Sequence, residues 1–273
     1  MYELYDFLLN VPEMKCRREK AVGSKITRLS TFREGDVDWM ICSKKTLIIE
    51  DPTTDLSKDS IVLHMEHEKC PPGFCKLRLH TLTSFIPLTE LIFVSPCNFH
   101  ILPDRKVYLS SKNVKLLAAV VHAAEDPYLG RKTINGSGPS ITRTDEPIRL
   151  NTDYVYAIPS RCLPISMKKR FLRNRHWPTK SMVLDITKAG CEVVAVGFPG
   201  SKEEDLQWRL SFSTAEKILM QNLNRIQRKT YVLLKIYFKE CLKKLFQTKV
   251  LSTYIAKMLT LWMCETTSGT LDR

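Results

Sequence analysis

Residues 23–40 read GSKITRLSTFREGDVDWM, and we expect the rest of the fold to be arranged around this stretch. It opens with Gly23 and Ser24, continues through a polar segment, and ends with Asp36 and Asp38 ahead of a short apolar run. The apolar run is typical of the start of a buried strand. Because alternate residues of a strand lie on the same face, Asp36 and Asp38 are predicted to project together.

This pairing of acidic residues with a Gly-Ser turn suggests a particular chemistry. Two neighbouring carboxylates repel each other, and a cation between them relieves the repulsion. Backbone N–H groups of a Gly-Ser turn can bind a phosphate. The combination indicates a metal-dependent nucleotidyl transferase. Both motifs also occur by chance in solvated turns, so the stretch alone leaves that plainer alternative open.

The composition is that of a globular protein able to bury a large core. The 273 residues are 44% hydrophobic and 26% charged, which suits one large domain or two lobes. No apolar run approaches the roughly 20 residues of a membrane helix, so we expect no membrane partner. Nine scattered cysteines indicate no disulfide framework. We therefore expect a reducing location, the cytoplasm or alternatively the nucleus.

The net charge of +13 is concentrated in the second part of the chain. Residues 161–273 carry 21 Lys and Arg against 9 Asp and Glu, whereas residues 1–160 carry 21 against 20. A strongly basic half indicates an anionic partner, and nucleic acid or nucleotide phosphate fits best. A merely solvated basic surface is the alternative.

The apolar pattern predicts a mixture of strands and helices. Residues 39–49 have the pattern of a hairpin with its turn at 43–45, and residues 130–147 that of an exposed loop. A helix is predicted at 111–124, with Ser110 or Ser111 as its N-cap. Further short strands are predicted at 61–65, 76–82, 152–158 and 192–196.

The basic part of the chain is predicted to be helical. Ser213 and Glu216 match a capping box, and the apolar stripe that follows predicts one long helix running to Leu245. A second helix is predicted at about 252–264. Residues 266–273 are expected to be disordered.

Several polar residues outside the opening stretch are candidates for a site. Asp153 begins an otherwise apolar strand and becomes of interest if it meets the other two aspartates. Arg209 and Ser211 alternate ahead of a helix N-terminus, a combination that suits phosphate oxygens. A capped helix beside a salt bridge explains the same pattern. Tyr254 can stack on a nucleobase, although a tyrosine at a helix start more often only packs.

A zinc site is not expected. His64, His67, Cys70 and Cys75 are potential ligands, but no second pair of the right type follows nearby. A buried cysteine commonly behaves as a small hydrophobic residue.

Seven segments together resemble one family. They are the Gly23-Ser24 turn, the DVD of residues 36–38, MEHEKCPPGFCKLRL (65–79), TDYVYAI (152–158), RNRHWP (173–178), QWRLSFSTAEK (207–217) and LSTYIAK (251–257). In this order they resemble the Mab-twenty-one (male abnormal twenty-one) family, which includes cyclic GMP-AMP synthase. The WRLSFSxxEK string is the longest and most specific of them.

The resemblance implies a fold and a set of site residues. The fold would be α+β, with a mixed-sheet nucleotidyltransferase core over residues 1–200. A helical C-terminal lobe, helix-hairpin-helix-like and incomplete, would occupy residues 201–273. By the resemblance three aspartates would hold two Mg²⁺ or Mn²⁺ ions: Asp36, Asp38 and Asp153. Nucleotide contacts would come from Gly23, Ser24, Arg209, Ser211, Lys235 and Tyr254.

The function implied by the resemblance is the joining of ATP and/or GTP into a dinucleotide, cyclic or linear. Double-stranded RNA or DNA on the basic face would activate it, in innate immune signalling. The sequence departs from the family in its short ends, which predicts a truncated member. It also lacks the zinc-binding Cys/His cluster of the vertebrate DNA sensor. The alternative is a catalytically silent member that serves as an interaction or nucleic-acid-binding protein.

Overall fold

The computed structural model describes residues 18–22, 37–50, 61–82, 90–124, 134–135, 138–145, 150–171, 173, 176–242 and 253–267. Within these ranges the chain forms one mixed sheet of twelve strands together with seven α-helices, so the mixed α+β class predicted from the sequence is confirmed. No helix among these residues is long and apolar enough to cross a membrane. The predicted domain boundary at residue 200 stays a prediction.

The strands, numbered in chain order, have the following bounds. They are β1 Arg18–Val22, β2 Val37–Cys42, β3 Thr46–Ile49, β4 Ile61–Glu66, β5 Phe74–Thr81, β6 Phe99–Ile101, β7 Val107–Leu109, β8 Ile134–Asn135, β9 Ser140–Asp145, β10 Leu150–Ser160, β11 Cys191–Val194 and β12 Gln207–Ser211.

The α-helices are α1 Leu91–Val94, α2 Ser111–Ala124, α3 Ile165–Phe171, α4 Lys180–Ala189, α5 Ser213–Gln221, α6 Arg225–Ile236 and α7 Thr253–Thr266. Helix α2 has the predicted bounds, and the Ser110 hydroxyl oxygen accepts the Asn113 N–H at 3.1 Å as its N-cap. A π-helical turn, Tyr237–Leu242, follows α6.

Strand β10 is the centre of the sheet. It pairs with β2 in parallel and with β9 and β11 in antiparallel fashion. From β10 the pairings run through β11, β12, β5, β4 and β3, and then return to β10 at the pair of Ser160 with Ile48. These six strands therefore form a closed circuit of pairings. Any residue near the start of β10 is held by neighbours on both sides.

The hairpin predicted over residues 39–49 is wrong. Strands β2 and β3 do not pair with each other but lie one after the other along the same edge of β10. Residues 43–45 between them form a bulge, and the Ser43 N–H donates to the Ala157 carbonyl at 3.1 Å. The chain direction is therefore retained through the segment that was expected to reverse it.

The buried carboxylate of Glu90 explains the bulge. It accepts the N–H groups of Lys44 and Lys45 at 2.7 and 3.3 Å, the Thr46 hydroxyl at 3.3 Å, and the Ser43 hydroxyl. Without Glu90 these donors would need another hydrogen-bond acceptor, from the protein or from water. A partner more than 40 residues away in sequence therefore replaces the turn.

The exposed loop predicted over residues 130–147 is also wrong in part. Residues 140–145 form β9, which pairs with the first half of β10. Ile141 is buried in the main core, and the β-branched residues around it suit a strand. In this strand the buried Ile141 stands next to the polar, partly buried Thr142. The Gly and Pro residues on either side of the strand made the whole segment resemble a loop.

The main core lies between the sheet and the helices α1 and α2. Its buried side chains come from β2, β3, β4, β5, β7, β9, β10, β11 and β12 on the sheet side. Phe93 of α1 and Val114, Ala118 and Val121 of α2 close it. Trp208 is fully buried there, and its indole N–H donates to the Leu109 carbonyl at 2.8 Å. The core therefore fixes β12 tightly against the rest of the sheet.

The long helix predicted from Ser213 is divided in two. Helix α5 ends at Gln221, and Asn224 then starts α6 with a capping box in which Gln227 is the partner. Ser213 does not cap α5; instead its hydroxyl and that of Thr214 donate to the buried Glu192 of β11 at 3.2 and 2.9 Å. The apolar stripe is continuous in sequence, yet the capping residues at 224 and 227 break the helix.

The glycine at the end of α4 offers a test of this packing. Gly190 has φ +69°, and a Cβ on it would lie 2.1 Å from the Ser160 carbonyl oxygen of β10. Gly190→Ala is expected to lower the free energy of unfolding by more than about 2 kcal/mol. Gly73→Ala is the matched control because its φ is +84° with open space around it. Equal losses in urea unfolding would contradict the predicted collision.

Candidate functional site

Two of the three predicted metal-binding aspartates are register partners. In the parallel pairing of β2 with β10, Asp38 lies opposite Asp153. Partners in neighbouring strands are about 5 Å apart and belong to the same face of a sheet. The pair stands near the N-terminal ends of both strands, beside Val37 and Thr152. The fold thus places two acidic positions next to each other although they are more than 100 residues apart in sequence.

Asp153 is held by a residue that the sequence did not single out. Thr142 of β9 lies opposite Asp153 on the other side of β10, and its hydroxyl donates to Asp153 Oδ1 at 2.5 Å. A threonine hydroxyl can rotate to suit an acceptor, so it orients the carboxylate without adding charge. Thr142 could have been found only by knowing that β9 pairs with β10. The sequence did not reveal that pairing.

Part of the opening stretch lies outside the described residues. This applies to Gly23, Ser24 and Asp36 in full. Of Asp38 the backbone pairing is described, and its side chain is not. The roles predicted for these four residues therefore stay predictions.

A second group of candidates lies where β12 leads into α5. Arg209 and Ser211 alternate on β12, opposite Val194 and Glu192 of β11. Arg209 retains exposed surface, although burial by neighbouring atoms lowers the pKa of its guanidinium group and the nearby Tyr254 acts in the opposite direction. The guanidinium stays charged at neutral pH and can contact an anion.

Tyr254 of α7 is near Arg209 and is 50% exposed. Its hydroxyl donates to Glu216 Oε1 of α5 at 3.1 Å. Burial, together with the adjacent Glu216 carboxylate, raises the pKa of Tyr254 to about 12, so the phenol is a neutral donor at physiological pH. The structure thus brings two predicted nucleotide contacts, from β12 and α7, to one place.

Lys257 completes this group from the next turn of α7. Its ammonium forms an ion pair with Glu216 Oε2 and lies 4.8 Å from the centroid of the Tyr254 ring. Glu216 appeared in the sequence as part of a capping box and Lys257 only as part of the LSTYIAK segment. Nothing in the sequence around Glu216 or Lys257 indicated that α5 and α7 meet here.

Lys235, the remaining predicted nucleotide contact, lies on α6. It is half-buried, and this burial lowers the pKa of its ammonium group. Helix α6 and the π-helical turn after it pack against α7 through Tyr231, Phe238, Ala256 and Cys264. This packing holds α7, and with it Tyr254, in place.

Two of the potential zinc ligands, His64 in β4 and His67 after it, contact Glu50. His64 Nε2 lies 3.1 Å from the Glu50 carbonyl oxygen, and His67 Nε2 lies 3.3 Å from the Glu50 carboxylate. Burial raises the pKa of the Cys75 thiol, so this side chain is neutral at physiological pH. Within the described ranges no three His, Cys, Asp or Glu residues are grouped so as to hold a metal ion.

Comparison with models of protein families identifies a relationship. The sequence model of the Mab-21 protein nucleotidyltransferase domain matches residues 57–222, more than half of the chain. The matched range contains Asp153, Arg209 and Ser211, and it begins after Asp38 and ends before Tyr254. No curated protein matches the chain.

Proposed function

The chain belongs to the Mab-21 nucleotidyltransferase family, and from this premise we propose that it joins ATP and/or GTP into a dinucleotide. The resemblance drawn from the sequence is confirmed at the level of the family. The dinucleotide would be cyclic or linear, and its signalling role would be in innate immunity. We further propose that α5, α6 and α7 belong to a helical lobe of helix-hairpin-helix type.

The observation that carries the proposal is the pairing of Asp38 with Asp153 in parallel strands. Two acidic positions side by side in a sheet are costly unless a cation neutralises them. Asp36, two residues before Asp38 in the sequence, would add a third carboxylate. This arrangement supports catalysis over a purely structural role.

The donor set suits magnesium or manganese. Carboxylate oxygens are the ligands that both ions prefer, and Asp36, Asp38 and Asp153 would hold them. When bound, two such ions would supply charge neutralisation at the transferred phosphate and activation of the attacking hydroxyl. Thr142 would keep the Asp153 carboxylate in one orientation throughout.

The proposed reaction is a displacement at the α-phosphorus of a nucleoside triphosphate. A bond forms between a ribose hydroxyl oxygen of the second nucleotide and that phosphorus, and the bond to the departing pyrophosphate breaks. The hydroxyl proton passes to one of the aspartate carboxylates. Gly23 and Ser24 would bind the triphosphate, Arg209, Ser211 and Lys235 would contact nucleotide oxygens or base edges, and Tyr254 would stack on a base.

The proposed activator is double-stranded RNA or DNA bound by the basic second half. Exposed basic side chains recur on three helices, α3, α4 and α6, and on the segment after α3. They make a phosphate backbone the favoured partner. They are Lys168, Lys169, Arg170, Arg173, Lys180, Lys188, Arg225, Arg228 and Lys229.

The assay that tests the proposal measures pyrophosphate release. Purified full-length chain with Mn²⁺, ATP, GTP and double-stranded RNA is expected to release pyrophosphate at least about tenfold faster than without RNA. Raising the salt concentration should weaken the stimulation because phosphate contacts are screened. Mass spectrometry of the product then distinguishes cyclic from linear dinucleotides.

A folded protein that gives no product with any double-stranded nucleic acid would refute the enzymatic proposal. If that protein still bound double-stranded RNA, the catalytically silent alternative would be favoured. Circular dichroism and a cooperative unfolding transition verify that the preparation is folded.

A further inference from the structure

Helix α6 is packed on one side and open on the other. Its packed side consists of Tyr231 and Leu234, continues into Phe238 of the π-helical turn, and lies against α7. On the open side Leu233 is 67% exposed, and three further large apolar side chains are each 45–51% exposed. They are Ile226, Ile236 and Tyr237. Exposed apolar side chains that lie close together are typical of a surface that binds a partner.

The open side of α6 combines an apolar stripe with basic residues. The stripe consists of Ile226, Leu233 and Tyr237. Spacings of seven and four residues bring these side chains into line to within about 20° around the helix axis. Arg225 and Lys229, both exposed, lie one turn apart beside the stripe. The helix contains no acidic residue, and the next one along the chain is Glu240 in the π-helical turn.

A basic helix with an exposed apolar stripe matches the surface of an anionic bilayer. Negative headgroups attract Arg and Lys, and apolar side chains enter the boundary between headgroups and acyl chains. A nucleic-acid backbone would use the basic residues but would gain nothing from the exposed Leu233. No membrane partner was expected from the sequence because no apolar run is long enough to span a bilayer. Contact with the bilayer surface needs no such run.

Two other occupants fit this side of α6 less well. In a symmetric dimer the same face of two copies meets, so Arg225 and Lys229 would lie against basic residues of a second chain that also carries a net charge of +13. An acidic protein that binds a basic amphipathic helix does so in a groove. Helix α6 is already covered by α7 and can offer only its open side. A flat, negatively charged partner satisfies both restrictions.

We propose that the open side of α6 is a docking surface for a bilayer of anionic phospholipids. The helix lies parallel to the bilayer plane, with Leu233 and its stripe at the ends of the acyl chains nearest the headgroups. Arg225 and Lys229 contact the phosphate and carboxylate groups of the lipids. The contact is peripheral and reversible, and it requires neither a nucleotide nor the proposed reaction.

The experiment measures cosedimentation of the full-length chain with phosphatidylcholine vesicles that contain either no phosphatidylserine or about one third of it. Wild-type protein is expected to bind the anionic vesicles at least about tenfold more tightly than the neutral ones. Leu233→Ser should weaken binding to the anionic vesicles about tenfold because a large apolar side chain no longer leaves water. Arg225→Gln combined with Lys229→Gln should weaken it about twentyfold, at roughly fivefold for each charge.

Each variant has a matched control on α4. Leu184→Ser changes a leucine that is 54% exposed. Lys180→Gln combined with Lys188→Gln removes the same number of charges, also from exposed positions. Both controls are expected to leave vesicle binding within twofold of wild type. Circular dichroism verifies that every variant is folded.

Several results would overturn the docking surface. If Leu233→Ser left vesicle binding unchanged, or if the α4 charge variant weakened it as much as the α6 one, the attraction would come from net charge alone. If Leu233→Ser weakened binding of double-stranded RNA as strongly as binding of vesicles, the open side would be a nucleic-acid surface. If Leu233→Ser converted a dimer into a monomer in light scattering, it would be an interface between copies. Folded wild-type protein that does not bind anionic vesicles would refute the bilayer and leave an acidic protein as the occupant.

Discussion

Asp153→Asn is expected to slow pyrophosphate release by about a thousandfold or more, a loss of roughly 4 kcal/mol of transition-state stabilisation. Asparagine has the size of aspartate and can still accept the Thr142 hydroxyl, so the strand pairing should persist. What is lost is the negative charge that would hold a divalent cation beside Asp38. Initial rates with Mn²⁺, ATP, GTP and double-stranded RNA measure the effect.

Two controls belong with this substitution. Asp104→Asn, at an exposed turn residue that pairs with Lys106 at 3.5 Å, is the matched exchange and should leave the rate unchanged. Thr142→Val removes the hydroxyl that donates to Asp153 and keeps the Asp153 charge. A smaller loss of about tenfold is therefore expected, as is typical when a hydrogen bond to a metal-binding side chain is removed. An Asp153→Asn protein that turns over within threefold of wild type would rule out the assigned metal ligand.

Trp208→Ala should lower the free energy of unfolding by about 3–5 kcal/mol. The indole is fully buried in the main core, and its removal leaves a large cavity. It also leaves the Leu109 carbonyl of β7 without its 2.8 Å donor, and an unpaired buried acceptor costs more. Urea unfolding followed by circular dichroism measures the difference.

Trp262→Ala is the matched control because that indole is 58% exposed on α7. It should change the free energy of unfolding by less than about 1 kcal/mol. Trp208→Phe keeps an aromatic ring and loses the N–H donor. Its loss in the free energy of unfolding should lie between those of Trp208→Ala and Trp262→Ala. A Trp208→Ala protein as stable as the Trp262→Ala protein would show that the core does not depend on this residue.

The elements that were predicted correctly are those fixed by local pattern. Helix α2 has its apolar spacing and its N-cap within one segment, and β4 and β10 have β-branched or apolar runs of their own. The elements that were predicted wrongly depend on residues far away in the sequence or on another strand. The bulge at 43–45 depends on Glu90, and β9 is a strand because β10 is available to pair with it.

The same distinction applies to the candidate site. Asp153 was found through the resemblance to a family, and its partner position in β2 became visible only with the register. Thr142 and the Glu216–Lys257 pair were missed because their partners come from other elements. A capping-box pattern at 213 and 216 was a reasonable prediction, but Glu192 and Tyr254 bind those side chains instead.

The central position of β10 has a consequence for synthesis of the protein on the ribosome. Its partners lie far upstream, in β2, directly before it, in β9, and downstream, in β11. A nascent chain that has released only its first half has β2 with one unpaired edge, and such an edge invites association with other chains. Long-range pairings of this kind also form slowly. The acidic pair at 38 and 153 therefore assembles late, after most of the sheet has emerged, and a chain that has not completed its fold lacks this pair.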